Sequence, residues 1–119
     1  MPGTVRYCRL ASGPQVAYAT AGFGSPLVMV PGWLCHLGQN WSHPAAASAL
    51  AKLTASHRLI WYDRHGCGLS DRDGFEPSLE SDVEQLEAVL DAESIDRAGL
   101  IGYSFGAPPA AVFAARRPE

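Results

Sequence analysis

A chain of 119 residues, 47% apolar and 18% charged, has the size and composition of a single globular domain and excludes an intrinsically disordered one. Its net charge of −3 offers no electrostatic footprint for nucleic acid or an anionic membrane surface. Residues 1–20 lack the apolar core of a signal peptide and no apolar run approaches the ~20 residues that span a bilayer, so a cytoplasmic location is expected.

The first elements read as β. Short β-branched and aromatic segments over 5–10 and 15–22, separated by the turn-rich Ala11-Ser12-Gly13-Pro14, predict an antiparallel hairpin. The continuous apolar run 26–30 is that of a strand buried on both faces, and it breaks at Pro31-Gly32. Strong helix formers over 44–56, with Leu50 and Leu53 three apart, predict a helix. A second buried strand over 57–63 runs into a glycine-punctuated loop over 64–71. Leu79, Val83, Leu86 and Leu90 then recur at helical spacing, with Ser78 as N-cap and Glu80 and Asp82 in the first turn, where the helix dipole favours negative charge. A last apolar strand over 97–103 precedes a helix over 109–117 that ends in two arginines. Strands alternating with helices imply parallel pairing through crossovers. The expected class is therefore α/β, an N-terminal hairpin followed by parallel strands with helices on both faces.

Charge and cysteine add little to this. Ten of the twelve acidic residues fall between Asp71 and Asp96, opposed only by Arg72, which predicts one solvated helix face with its flanking loops. Cys8, Cys35 and Cys67 are odd in number and lack a CxxC pair, so reduced thiols are expected rather than a disulfide framework or a zinc site. With no metal-ligand spacing and no phosphate-binding loop, no cofactor is expected.

Three segments could carry chemistry. Gly102-Tyr103-Ser104-Phe105-Gly106 matches GxSxG, with a predicted strand before it and a predicted helix after it. A turn that sharp brings neighbouring chain against the positions on either side of the serine, which is why both need glycine. Ser104 would then stand at a helix N-terminus, where unpaired backbone N–H groups stabilise an oxyanion. The Phe105 N–H is one candidate donor. The Trp33 N–H, just past the strand break at Pro31-Gly32, is the other, and its indole can pack over the sheet at the same time. In the third segment, Asp63 closes a strand and the loop 64–71 follows at the same carboxyl edge. Asp63 and Arg64 are expected to hold that loop by hydrogen bonds rather than to take part in catalysis.

Together, Val30-Pro31-Gly32-Trp33, the D-x-x-G-x-G-x-S pattern beginning at Asp63 and the GxSxG at Ser104 resemble the α/β-hydrolase superfamily, in that family's order and over essentially the whole chain. The segments 16–22, 30–44 and 57–73 look in particular like the hydrolase-like domains beside nucleotide cyclase or transcription-regulator domains in bacterial multidomain proteins. The resemblance implies that Ser104 is a nucleophile, that Trp33 and Phe105 supply oxyanion N–H groups, and that an acid and a histidine follow the serine. Here the sequence departs from the pattern, because Glu119 is the only acid after Ser104 and His36, His43, His57 and His65 all precede it. His36 is the nearest to a substitute base, but it is expected to be an ordinary loop histidine, and His43 to end a loop. Pro109 is expected to cost a helical hydrogen bond and make the last helix irregular at its start.

The resemblance thus implies a partial hydrolase domain over 1–119, lacking the C-terminal strands, the lid and the triad acid and histidine. The expected function is hydrolysis of an ester, amide or similar acyl bond of a small molecule, with the fragment inactive by itself. A non-catalytic module that senses a small molecule is the alternative. Self-association through the unpaired edge of the last strand is also expected.

Overall fold

A computed structural model describes residues 4–32, 44–73, 78–102 and 106–117. The chain order is β1 (Thr4–Arg9), β2 (Gln15–Ala21), β3 (Ser25–Val30), α1 (Pro44–Ser56), β4 (His57–Tyr62), α2 (Leu79–Ala92), β5 (Gly99–Gly102) and α3 (Ala107–Arg116). The strands form one sheet in the order β1-β2-β4-β3-β5. β1 and β2 make the expected antiparallel hairpin, β2 runs antiparallel to β4, and β3 is parallel to both β4 and β5.

The apolar runs are continuous because both faces of the sheet are covered. On one face Tyr18, Val28, Val30, Ile60 and Tyr62 pack against Val83, Leu86 and Leu90 of α2 and Phe113 of α3. On the other, Ala17, Ala19, Leu59 and Trp61 pack against Leu50 of α1. Alternate residues of β4 therefore serve opposite layers, as the period of two along a strand requires.

The helix boundaries follow local chemistry. α1 occupies the expected 44–56, opening at Pro44, whose fixed φ suits a first helical position. In α2 the Ser78 hydroxyl accepts the Ser81 N–H at 3.0 Å, closing the predicted cap. Val83, Leu86 and Leu90 are buried as their spacing predicts, whereas Leu79, the first residue of the helix, is 44% exposed.

The acidic stretch is less of a solvated face than its composition suggested. The Glu93 side chain is only 5% exposed and binds Arg58 and Arg6, the latter at 3.0 Å. It also accepts the Tyr18 hydroxyl at 2.6 Å, so one carboxylate ties the end of α2 to β1, β2 and β4. Burial pushes the Glu93 carboxyl upward, but hydrogen bonds from Tyr18 and Arg6 and the charges of both arginines outweigh it and hold the group below its ordinary value. Tyr18 is pushed up to about 12, first by burial and then by its bond to Glu93.

α3 differs from expectation in a way that removes a penalty. It begins at Ala107 rather than at 109, with Gly106 as N-cap, so Pro108 and Pro109 both lie in the first turn. Backbone N–H groups there have no intrahelical acceptor, and neither proline costs a helical hydrogen bond.

Candidate active site

The layers define where a site can form. β3 leads into α1 on one face of the sheet, while β5 leads into α3 on the other. Between the carboxyl ends of these adjacent parallel strands the chain departs in opposite directions, which opens the crevice where α/β sheets bind ligands. The end of β3, with Pro31 and Gly32 both buried, forms one side of that crevice, and the junction of β5 with α3 forms the other.

The two glycines of the GxSxG motif are required here by close approach. A Cβ on Gly102 would lie 2.8 Å from the Gly106 carbonyl oxygen and 2.9 Å from both Ala107 Cα and Ala110 Cβ. A Cβ on Gly106 would overlap the carbonyl oxygens of Val30 and Pro31. The first glycine thus lets the strand turn tightly onto its own helix, and the second lets that helix start against the end of β3. Backbone following β3 and backbone opening α3 are thereby brought side by side. Tyr103, Ser104 and Phe105 lie outside the described residues, as do Trp33, His36 and His43, so it is the flanks of the motif whose geometry is seen.

The loop after β4 has the structural character its sequence suggested. The fully buried Asp63 accepts the Leu69 N–H on Oδ2 at 2.7 Å, and its carbonyl accepts the Ser70 hydroxyl at 2.6 Å. The Ser70 Oγ in turn accepts the Ala17 N–H of β2 at 2.8 Å. Gly68, at φ +51°, has no room for a Cβ beside the Asp63 carboxylate, which explains the second glycine of the loop. Asp71 exchanges two hydrogen bonds with the backbone of Gln15, both at 2.9 Å. Arg64 forms a bidentate pair with Asp82 of α2, at 2.7 and 3.0 Å.

The histidines divide by position. His57 starts β4, at the end of the sheet opposite the crevice, and its Nδ1 lies 2.9 Å from the Ser56 hydroxyl. His65 is buried in the loop after β4, where its N–H donates to Gln85 Oε1 at 2.8 Å and its Nε2 lies 3.0 Å from the Asp73 carbonyl. Among the described residues, no group of three or more His, Cys, Asp or Glu could hold a metal ion. None of the described helices is long and apolar enough to cross a membrane.

Sequence reasoning missed Asp82 and Gln85. Asp82 was counted in a solvated run, and Gln85 is a polar residue on the buried side of α2, between Val83 and Leu86. That one polar interruption in an apolar stripe was the available signal.

Comparison with known proteins agrees with the fold and the motif order. Residues 25–119 match the alpha/beta hydrolase fold family. The 2-hydroxy-6-oxo-2,4-heptadienoate hydrolase of Pseudomonas putida is 32% identical over 92% of this chain and 39% of its own length. A cis-3-alkyl-4-alkyloxetan-2-one decarboxylase of Shewanella oneidensis is 31% identical over 91% of this chain and 33% of its own. Among solved structures, a meta-cleavage product hydrolase superposes with a TM-score of 0.80 at 28% identity, covering 98% of this chain and 41% of that one. The chain thus spans two-fifths or less of the length of the curated relatives it matches. It belongs to the alpha/beta hydrolase fold family. These relatives support the superfamily and do not extend to the narrower resemblance to cyclase- or regulator-linked domains.

Proposed function

We propose that this chain is the nucleophile-bearing part of a hydrolase that cleaves an ester, amide or similar acyl bond in a small molecule. The Ser104 hydroxyl attacks the acyl carbon, its proton passing to a base, and the oxyanion is held by the N–H groups of Trp33 and Phe105. Collapse releases the leaving group with that proton, and water then hydrolyses the acyl-serine by the reverse sequence of transfers.

The observation that carries this reading is the packing of Gly102 against α3 and of Gly106 against the end of β3, at the sheet's switch point. Such a close approach serves to set a serine at a helix N-terminus beside a second backbone stretch. Relatives named as hydrolases of 2-hydroxy-6-oxo-2,4-heptadienoate and of 2-hydroxymuconate semialdehyde, each 32% identical, support a hydrolytic chemistry.

No histidine follows Ser104 within the 119 residues, so this polypeptide by itself is proposed to turn over slowly. The test is hydrolysis of p-nitrophenyl acetate by the protein at the full length its gene encodes, beside the 119-residue polypeptide. Ser104→Ala should lower kcat in the longer form by at least about 1,000-fold. Unchanged turnover in that variant would remove Ser104 from the mechanism.

A further inference from the structure

The Arg64–Asp82 pair stands outside the chemistry proposed above, yet it occupies a particular place. The two side chains are only 10% and 14% exposed, and the guanidinium meets the carboxylate through two hydrogen bonds at 2.7 and 3.0 Å. One turn along α2 from Asp82, the fully buried Gln85 accepts the His65 N–H on Oε1 at 2.8 Å, and its Nε2 lies 3.2 Å from the Ser81 hydroxyl. α2 therefore grips consecutive residues of the loop after β4, one by side chain and one by backbone.

These groups form one wall of a cavity of ≈ 10 Å³ whose other walls are Val30 and Pro31 at the end of β3 and Pro109 in the first turn of α3. Those are the stretches that Gly106 brings together on the far side of the same junction. Four elements thus meet at one point beneath the crevice, and the polar groups there come from α2 and β4.

Resting on the Ser104 reading, we propose that Asp82 and Gln85 are positioning residues. From α2, they fix the end of β3 relative to the start of α3, and with it the spacing of the Trp33 and Phe105 N–H groups. A packed apolar contact could hold these elements together, but it would not fix one lateral register. A bidentate guanidinium–carboxylate pair has a single good geometry, and a buried amide that must satisfy a particular N–H has few. An oxyanion site needs that kind of definition, since a misplacement of about 1 Å can cost about 100-fold in rate.

The experiment uses the protein at the full length its gene encodes, with three variants. Asp82→Asn removes the charge and leaves Arg64 partly buried without it, so this variant alone could fail to fold. The double variant Arg64→Met/Asp82→Leu replaces the pair by apolar groups of similar volume, an exchange that often leaves stability intact while abolishing the fixed geometry. Gln85→Leu tests the second grip. For the double variant and Gln85→Leu, amide exchange at Gly32 and Gly106 should quicken by about 10-fold or more, with the β1–β2 hairpin unchanged. Their kcat for p-nitrophenyl acetate should fall by about 10- to 100-fold with KM within about twofold. Asp82→Glu, which restores a carboxylate, should recover most of the loss seen in Asp82→Asn.

Native exchange at both glycines in the double variant and in Gln85→Leu overturns the proposal, as does faster exchange with native kcat. Ser104→Ala is measured in parallel. If that variant keeps its activity, the nucleophile reading fails, and the brace is then judged on the exchange data alone.

Discussion

Replacing Gly106 by alanine should destabilise the protein by about 1–2 kcal/mol and push the end of β3 away from the first turn of α3. The backbone of Gly106 is ordinary, with φ −78° and ψ −19°, so alanine meets no conformational penalty there. It should even gain the ~1 kcal/mol by which alanine exceeds glycine in a helix. Against that gain stands a collision. The new Cβ would overlap the carbonyl oxygens of Val30 and Pro31, with the Val30 carbonyl carbon at 2.9 Å. All three are main-chain atoms of a strand end held between β4 and β5, so no rotamer change relieves the clash. Forced insertion of this kind costs ~1–3 kcal/mol, and the backbone nature of the neighbours puts it at the upper end. Gly99→Ala is the control, because its Cβ would meet only the end of a flexible side chain, Leu27 Cδ1 at 3.1 Å. Its expected effect lies within ~0.5 kcal/mol. Urea denaturation of both variants, compared at a common slope, reads the difference. A Gly106→Ala midpoint equal to that of Gly99→Ala would show that the approach of α3 to β3 is not rigid, and would refute the reasoning.

Glu93→Gln should destabilise at neutral pH by about 2–4 kcal/mol, since Arg58 and the Tyr18 hydroxyl lose a charged acceptor in a buried setting. Because the folded Glu93 carboxyl titrates below its ordinary value of 4.5, its contribution is present above that pH and lost as pH falls through the folded value. Urea curves for the native protein and Glu93→Gln should therefore converge in acid, and a constant gap contradicts the assignment. Tyr18 has the opposite sign: raised from 10.0 to about 12, it stabilises below pH 10 and loses that contribution as pH rises toward 12. The Tyr18→Phe variant should accordingly lack this alkaline loss. The 119-residue polypeptide should self-associate, since among the described residues β5 pairs only with β3. Beside its other edge lies a groove of ≈ 690 Å³ lined by Leu90, Ile95, Leu100 and Phe113. A monodisperse monomer in size-exclusion chromatography would count against this.

What could be read from the sequence was what is decided locally. α1 came out at its predicted residues because a proline opens it and a β-branched and aromatic run follows it. The cap of α2 was legible for the same reason, as were the glycines around Ser104, whose need is set by a turn a few residues long. The sheet order was not legible, because nothing within β2 or β3 says that β4 inserts between them. The start of α3 was set too late because two prolines read as an obstacle, whereas their position in the first turn makes them harmless. Asp82 and Glu93 were folded into a charge run because their partners are remote in sequence. Arg64 is 18 residues from Asp82, and Arg58 and Arg6 are 35 and 87 residues from Glu93. A carboxylate looks solvated until the fold brings an arginine to it.

The measurement that bears most directly on the central claim is covalent capture of Ser104. Trypsin should release residues 98–116 as one peptide in which Ser104 is the only serine. Treatment of the protein, at the full length its gene encodes, with an alkyl fluorophosphonate should add a single phosphonyl group to that peptide and abolish ester hydrolysis in proportion. Ser104→Ala should take up none. Stoichiometric labelling at another residue, or activity that survives complete labelling of Ser104, would contradict the assignment of this serine as the nucleophile.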